Sequence, residues 1–388
     1  MKLEELRKRV DLIDGEIIKL LGARMELALR TGKHKENVVD PKREESVFVN
    51  VKKHSVGLVR SEFSEGLFKE IVSESKKLQD KHPVLVAFQG EHGAFGEMAI
   101  RAFLPSAVPI SCREFEDVFK GVESGSFDFG MVPVENSIEG AVTSVNDLLV
   151  ETSLQIVGEV RVPVHHCLLT LPETDYREIK VAYSHPQALS QCRGFLQRNN
   201  LEARPFYDTA GAAMMLAEDR PRAAAAIASR LCAELYGLEI LKENVEDHKS
   251  NSTRFIVLSR KDGEKGSGDM GAQKESANSR EDEGKTSLRA QGAALGKKGD
   301  KCSIIFSTEH KAGALFSMLK VFSDASLNLT RIESRPIKSD PGKYAFLLDF
   351  VGSDKDAKAA AVLSQVEKMA QFYKYLGCYP SWKQEEKL

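Results

Sequence analysis

At 388 residues the chain exceeds what one ordinary hydrophobic core organises, so two or three domains are expected. Apolar residues make up 42%, charged residues 29% and the formal net charge is -2, a balance that argues against binding nucleic acid or membrane by overall charge. The six cysteines, Cys112, Cys167, Cys192, Cys232, Cys302 and Cys378, include no C-x-x-C pair, which argues against a zinc ribbon or disulfide framework and for reduced thiols. No apolar run reaches membrane-spanning length, and the opening MKLEELRKRVDLIDGE lacks the unbroken apolar stretch of a signal peptide. A cytoplasmic protein without metal or organic cofactor is expected.

From Leu3 to about Lys35, apolar residues recur at Leu3, Leu6, Val10, Ile13, Ile17, Leu20 and Leu27, the three-four spacing of a long helix with one buried seam. Asp40-Pro41 reads as N-cap and first residue of a second helix, and Phe63 to Gln79 as a third. Arg24 falls in the seam where an apolar residue belongs, so it needs an anionic partner, either a carboxylate of another helix or a bound ligand. Arg7 and Arg24 lie 17 residues apart, about 25 Å along one helix. One small ligand touches both only if a second, antiparallel chain brings its own Arg7 to this Arg24, a geometric argument for an intertwined homodimer. Lys35 falls three turns beyond Arg24 on nearly the same face, and Ser75 and Gln79 continue the inward row of Phe68 and Val72. The plainer alternatives are a polar seam edge for Ser75 and Gln79 and a simple cap for Asp40.

At His82-Pro83 the texture changes. Val84 to Phe88 is a short apolar run, and strand-like runs follow at Asp128 to Val134, Lys180 to Tyr183, Arg204 to Tyr207 and Ala223 to Ala228, each before a polar turn and a helix start. That rhythm predicts an α/β domain with a largely parallel sheet. GEHGAFG at 90 to 96, VPVENS at 132 to 137, YSHPQ at 183 to 187 and YDTA at 207 to 210 read as helix N-termini, whose free N–H groups suit a dicarboxylate. Singly, Ser184 and Thr209 are ordinary N-caps. Residues 261–301 hold almost no large apolar side chain and read as a flexible linker. Beyond them, Cys302 to Tyr379 runs strand, helix, strand, strand, helix, strand, the order of a small α+β ferredoxin-like domain.

Three sets of motifs carry a resemblance over nearly the whole chain. LRKRV, ARMELALRTGKHK, DPKREESV and SESKKLQ resemble the all-helical chorismate mutases; VPVENSIEGAVTSVNDLL, GEVRVPVHHCLL, YSHPQALSQC, AAIAS with ELYGLEIL, and NSTRFIVL resemble a prephenate dehydratase domain; STEHKAGALFSMLKVF, LTRIESRPIKSDPGKYAFLLDF and LGCYPS resemble the phenylalanine-binding ACT domain. The order is that of bifunctional chorismate mutase–prephenate dehydratases. It implies a helical domain at 1–82, a two-lobed dehydratase domain like the periplasmic binding proteins at 83–260, the linker at 261–301 and a regulatory domain at 302–380.

The resemblance makes Arg7 of a partner chain, Arg24, Lys35, Asp40, Glu44, Ser75 and Gln79 the lining of the mutase site, supported by Arg43, with Lys35 and Gln79 stabilising charge on the breaking ether oxygen. It marks Thr253 as essential for dehydration, as an oriented donor to the leaving hydroxyl, with Glu135 and His185 as candidate backing groups; His185 reads equally as a capping residue and Glu135 as half of a salt bridge. Asn136, Ser137, Ser184, Gln187, Gln191, Thr209, Asn251 and Arg254 are its candidate substrate contacts, Arg254 being equally a structural residue. Glu91 and Gly96 depart from the family's usual proline and serine, which puts the first Gly-rich loop's contacts in question. Gly313, Ala314 and Leu315 with Glu333, Ser334, Arg335 and Pro336 are the expected phenylalanine site at a dimeric interface, with feedback inhibition loosened by the long linker. The rival reading is a monofunctional prephenate or arogenate dehydratase whose helical domain only dimerises; the set Arg7, Arg24, Lys35, Glu44 and Gln79 argues against it.

Overall fold

A computed structural model describes residues 3–35, 37–261, 298–337, 340 and 342–382. The expected linker falls almost wholly outside the described residues.

Three helices open the chain: α1 (Leu3–Gly32), α2 (Pro41–His54) and α3 (Ser61–Asp80). The side chain of Asp40 accepts from the Arg43 N–H at 3.0 Å and starts α2, as its Asp-Pro signature predicts. Only Leu29 of α1 is fully buried, while the seam stays open, with Ile13 at 56% and Leu20 at 70% exposure. A single chain thus leaves uncovered the stripe that periodicity marks for burial. Because α1 stops at Gly32, Lys35 lies beyond the helix rather than on its face, a correction to the expected placement.

The next unit has two lobes. The first contains β1 (Leu85–Gln89), α4 (Phe95–Phe103), β2 (Val108–Cys112), α5 (Phe115–Glu123), β3 (Phe129–Asn136), β4 (Gly140–Ala141), α6 (Thr143–Glu151) and β5 (Gln155–Pro163). The chain then leaves for the second lobe: β6 (Cys167–Thr170), β7 (Val181–Ser184), α7 (Pro186–Gln191), α8 (Arg193–Arg198), β8 (Glu202–Pro205), α9 (Thr209–Asp219), β9 (Ala224–Ala228), α10 (Arg230–Tyr236) and β10 (Glu239–Lys242). It returns through β11 (Ser252–Ser259), which inserts into the first lobe's sheet in the order β2-β1-β3-β11-β5. The two crossings run side by side, with the Val164 N–H donating to the Asn251 carbonyl at 2.9 Å.

The expectation of one largely parallel sheet is corrected to two mixed sheets. In the first, β1 to β3 are parallel and β11 runs antiparallel to both β3 and β5; in the second, ordered β10-β6-β9-β7-β8, β7 to β9 are parallel and β6 and β10 antiparallel. The strand-helix rhythm finds β1, β3, β7 and β9 and part of β8 but misses β2; β6 and β11, entering from the other lobe, follow no helix and leave no such signal.

The last unit comprises β12 (Lys301–Ser307), α11 (Ala314–Asp324), β13 (Leu329–Pro336), β14 (Tyr344–Val351), α12 (Ala357–Met369) and β15 (Phe372–Tyr379), with an antiparallel sheet ordered β13-β14-β12-β15. Lys301, expected as the linker's last residue, is the buried first residue of β12. The strands' alternation serves two cores. Cys302, Ile304 and Phe306 face α11 and α12, whereas Ile305, with Ala345, Leu347, Leu376 and Tyr379, enters a cluster holding Leu149, Ile156 and Ile256 of the first lobe and Leu29 of α1. Gly377, at φ +137°, brings β15 against β5 so closely that a Cβ there would sit 2.4 Å from the Ile156 carbonyl oxygen. No helix among the described residues is long and apolar enough to cross a membrane.

Candidate active sites

The helical unit gathers its seam cations around α3. Arg24 donates to the Ser75 hydroxyl at 2.7 Å, and Ser75 donates to the Ile71 carbonyl at 2.8 Å. Gln79 donates to the Ala28 carbonyl at 2.6 Å beside Gly32, where a Cβ would stand 3.2 Å from the Gln79 side chain. Ser75 and Gln79 are both buried, as their place in the row predicts. Burial and the neighbouring Arg43 guanidinium both lower the pKa of Arg24, so two cations converge on one spot that an anion would relieve. Glu44 pairs with Lys76 at 2.6 Å and joins α2 to α3. Lys35, exposed, lines a recess with Gln79, Gly32 and Val38. Arg7 is exposed far along α1, so one chain does not unite it with Arg24.

The second centre lies where the lobes meet. In β11 and β3, Thr253 is paired with Asn136 and Arg254 with Glu135. Successive strand residues face opposite sides, so the register sorts these four into two couples. On one side the Asn136 side-chain amide donates to the Thr253 hydroxyl oxygen at 3.0 Å and to the Asn251 side-chain Oδ1 at 2.8 Å. The Asn136 side-chain Oδ1 accepts from the N–H groups of Ile138 and Glu139, at 3.0 and 3.1 Å, which fixes the turn after β3. With a lone pair of Thr253 Oγ1 held by Asn136, the hydroxyl proton can be turned toward a bound molecule.

Arg254 and Glu135 occupy the other side. Arg254 is 1% exposed and donates to Glu159 at 2.7 Å, Asp349 at 2.6 Å and Tyr379 at 3.0 Å, while Glu135 stands 3.7 Å from it. The expectation of Arg254 as a substrate contact is therefore corrected to its structural alternative, while Glu135, one-third exposed, stands at salt-bridge distance from it.

Across the gap, α7 begins at Pro186 and His185 caps it, its ring nitrogen accepting from the Gln187 N–H at 3.3 Å, the capping role weighed for it. Ser184 is fully buried and donates to the Ile227 carbonyl at 2.7 Å, so its hydroxyl serves the sheet. Asp208, not Thr209, caps α9: its carboxylate accepts from the Gly211 N–H at 2.7 Å, and burial followed by nearby Glu91 raises its pKa. VPVENS is not a helix start; it ends β3, and α6 begins only at Thr143. Ser137 donates to the Ser250 carbonyl at 3.2 Å and ties that turn to the returning crossing.

Residues missed from the sequence bridge the lobes. Glu139, on the turn after β3, accepts from Gln187 and, at 2.8 Å, from Gln191 of α7. Gln191 in turn accepts from Asn251 at 3.2 Å and pairs with His166 at 3.0 Å. Tyr207 donates to Glu91 at 3.0 Å, and Ser229 donates to the Gly93 carbonyl at 2.6 Å, so the Gly-rich loop of the first lobe rests on α10 of the second. Glu139 lies within a motif singled out for its neighbours; long-range partners leave no periodic signal. His92 in the same loop joins Glu97 at 3.0 Å and Glu26 of α1 at 2.8 Å. Burial opposes its charge, yet the two carboxylates prevail and raise its pKa to about 10.

In the last unit Gly313, at φ +82°, caps α11 ahead of Ala314 and Leu315, and Glu333, Ser334, Arg335 and Pro336 end the edge strand β13. Arg335 turns toward the first lobe and donates to Asp147 at 2.6 Å.

A two-lobed receptor with a polar hinge, joined to a helical unit with converging arginines, is the frame of a multifunctional enzyme for anionic small molecules. Two family models match, chorismate mutase type II at residues 6–80 and prephenate dehydratase at residues 86–263. A bifunctional chorismate mutase/prephenate dehydratase of Neisseria gonorrhoeae is 34% identical over 97% of this chain and 96% of its own, and one of Aquifex aeolicus 34% identical over 98% of each. Among solved structures, a prephenate dehydratase in complex with L-Phe from Arthrobacter aurescens superposes with a TM-score of 0.62 at 31% identity, covering 76% of this chain and 90% of its own. The chain belongs to the bifunctional chorismate mutase/prephenate dehydratases, enzymes of phenylalanine biosynthesis.

Proposed function

We propose that the two activities reside in separate centres, the mutase site around Arg24, Lys35, Asp40, Glu44, Ser75 and Gln79 with Arg7 of a partner chain, and the dehydratase site around Thr253. The observation that carries the dehydratase assignment is the Asn136–Thr253 hydrogen bond at the hinge, 3.0 Å long and beside the turn that crosses to α7. For the mutase it is the Arg24–Ser75 hydrogen bond, 2.7 Å long, which turns the seam guanidinium toward α3.

The rearrangement of chorismate needs no nucleophile and no proton transfer. Guanidinium groups hold the carboxylates of the folded substrate in bidentate geometry. Lys35 and Gln79 meet the negative charge that grows on the ether oxygen as the C–O bond breaks. In the dehydratase, the ring carboxylate leaves as carbon dioxide and its electron pair enters the ring, which becomes aromatic as the C–O bond to the hydroxyl breaks. The departing hydroxide, met by the Thr253 hydroxyl, leaves as water after gaining one proton. Asn136, Ser137, Asn251, Gln187, Gln191, Thr209 and His185 surround this step, and closure of the lobes removes solvent from the carboxylate to be lost.

Domains at 1–82, 83–260 and 302–380, cytoplasmic location and an antiparallel homodimer complete the reading. The exposed apolar stripe of α1 supports the dimer, since it is what a second copy would cover. The strand-helix-strand-strand-helix-strand order after residue 300 supports a ferredoxin-like ACT domain. Phenylalanine bound near Gly313–Leu315 and Glu333–Pro336 favours a less active arrangement through unequal affinity for two states.

One assay of purified protein tests the assignment: chorismate loss by absorbance, and phenylpyruvate formation from prephenate, with and without phenylalanine. Arg24→Ala lowers the first rate and Thr253→Ala the second by about 100-fold or more, the scale of losing one group that meets developing charge. Equal loss of both rates in a folded variant refutes separate centres, and constant activity on adding phenylalanine refutes feedback. Arogenate run beside prephenate defines the substrate range.

A further inference from the structure

Between the dehydratase hinge and the last unit lies a buried polar cluster that the chemistry does not call for. Arg254 is its centre, and its acceptors come from both sides: Glu159 of β5, and Asp349 of β14 with Tyr379 of β15. The cluster is completed by Lys301, whose ammonium meets both Glu159 oxygens at 3.0 Å, by Ser303, which donates to Asp349 at 2.6 Å and pairs with Tyr379 at 2.7 Å, and by the Trp382 N–H on Glu159 at 3.0 Å. Four residues of the last unit thus converge on two side chains of the first lobe, and Ser303 braces two of the four.

We infer that Arg254 is a positioning residue through which the last unit sets the Thr253 hydroxyl. The reason is covalent and steric. Thr253 and Arg254 are adjacent in β11, about 3.8 Å apart at Cα, and no flexible segment separates them. β11 is hydrogen-bonded along both edges, to β3 and β5, so a shift of Arg254 passes to Thr253 instead of being absorbed. The three acceptors sit around one planar guanidinium, whose fork fixes direction as well as distance.

A second set of bonds reaches the same place from the other end. Arg331 donates to Asn146 at 2.5 Å, Arg335 to Asp147 at 2.6 Å, and Lys374 to the carbonyls of Leu149 and Val150 at 2.9 and 3.1 Å, so the last unit grips α6 along its length. The turn that leads into α6 begins at Asn136, the residue bonded to Thr253. Both partners in the hinge hydrogen bond are therefore anchored to one body. Arg335 also belongs to the stretch assigned to the effector, which gives phenylalanine a direct mechanical route to the hinge.

This inference rests on Thr253 being catalytic, and Thr253→Ala tests that premise separately. The experiment uses the full chain with Tyr379→Phe, which deletes one hydroxyl and keeps the ring packed, and Asp349→Asn, which keeps the shape but removes the charge. Mutase activity in the same molecule reports intact folding. Tyr379→Phe is expected to lower dehydratase kcat about tenfold with KM within about twofold, the scale of one lost hydrogen bond to a charged group. Asp349→Asn lowers it further, and Arg254→Lys does not rescue, because a single ammonium cannot meet three acceptors spread around a plane. Dehydratase kcat within about twofold of the parent in both Tyr379→Phe and Asp349→Asn overturns the inference, that being too small for a lost charged hydrogen bond. Parallel loss of both activities also overturns it, since the cluster would then serve stability alone.

Discussion

Two adjacent pairs show how much a single residue's surroundings decide. Thr253 and Asn136 face the hinge while Arg254 and Glu135 face the last unit, a sorting that follows from alternation once both segments are strands. It was legible in principle: if Thr253 faces substrate, the next residue cannot. What stayed hidden was the destination of Arg254, because Asp349 and Tyr379 lie 95 and 125 residues away along the chain. Arg24, Ser75 and Gln79 were legible because a polar residue in an apolar row declares its direction. His92 was not, since its carboxylate partners come from different units. With its folded pKa raised from 6.5 to about 10, its protonated form stabilises the protein fully below about pH 6.5, and that contribution fades as pH rises through 10. His92→Gln is therefore expected to lower the melting temperature at pH 6 and to differ little from the parent at pH 10; a constant difference across that range contradicts the charged pair.

At the scale of elements, β1, β3, β7 and β9 were visible as apolar runs and β8 in part, whereas β2, β5, β6, β10 and β11 were not. For β6 and β11 the place depends on which lobe the chain re-enters, which no local pattern records. The same holds for β15, whose approach to β5 depends on one residue without a side chain. Gly377→Ala adds a Cβ 2.4 Å from the Ile156 carbonyl oxygen, at a φ of +137° that side chains avoid. It is expected to cost roughly 2 kcal/mol in urea unfolding, the range of backbone conflicts at a glycine-only site. Full parental stability would mean that β15 and β5 separate freely.

The whole molecule adds what no element contains. The mutase reading requires Arg7 and Arg24 from different chains, and α1 places them too far apart to meet within one. Mixing Arg7→Ala with Arg24→Ala chains tests this directly: a mixed dimer has one site with both arginines and one with neither. After unfolding and refolding together in equal amounts, two inactive variants are expected to regain about a quarter of parental mutase activity, since half the dimers are mixed and each has one good site. No recovery means that one chain supplies both cations.

A loose regulatory tail is what the long linker led one to expect, and the packing is otherwise. Ile305, Ala345, Leu347, Leu376 and Tyr379 lie in the same cluster as Leu149, Ile156 and Ile256. The two-lobed unit borrows part of its interior from residues after 300, so a version ending near residue 260 would expose an oily wall, take Lys301 from Glu159 and strip Arg254 of Asp349 and Tyr379. The units on either side of 261–301 are separable on paper, but as a folded body they are one piece of masonry with a shared wall.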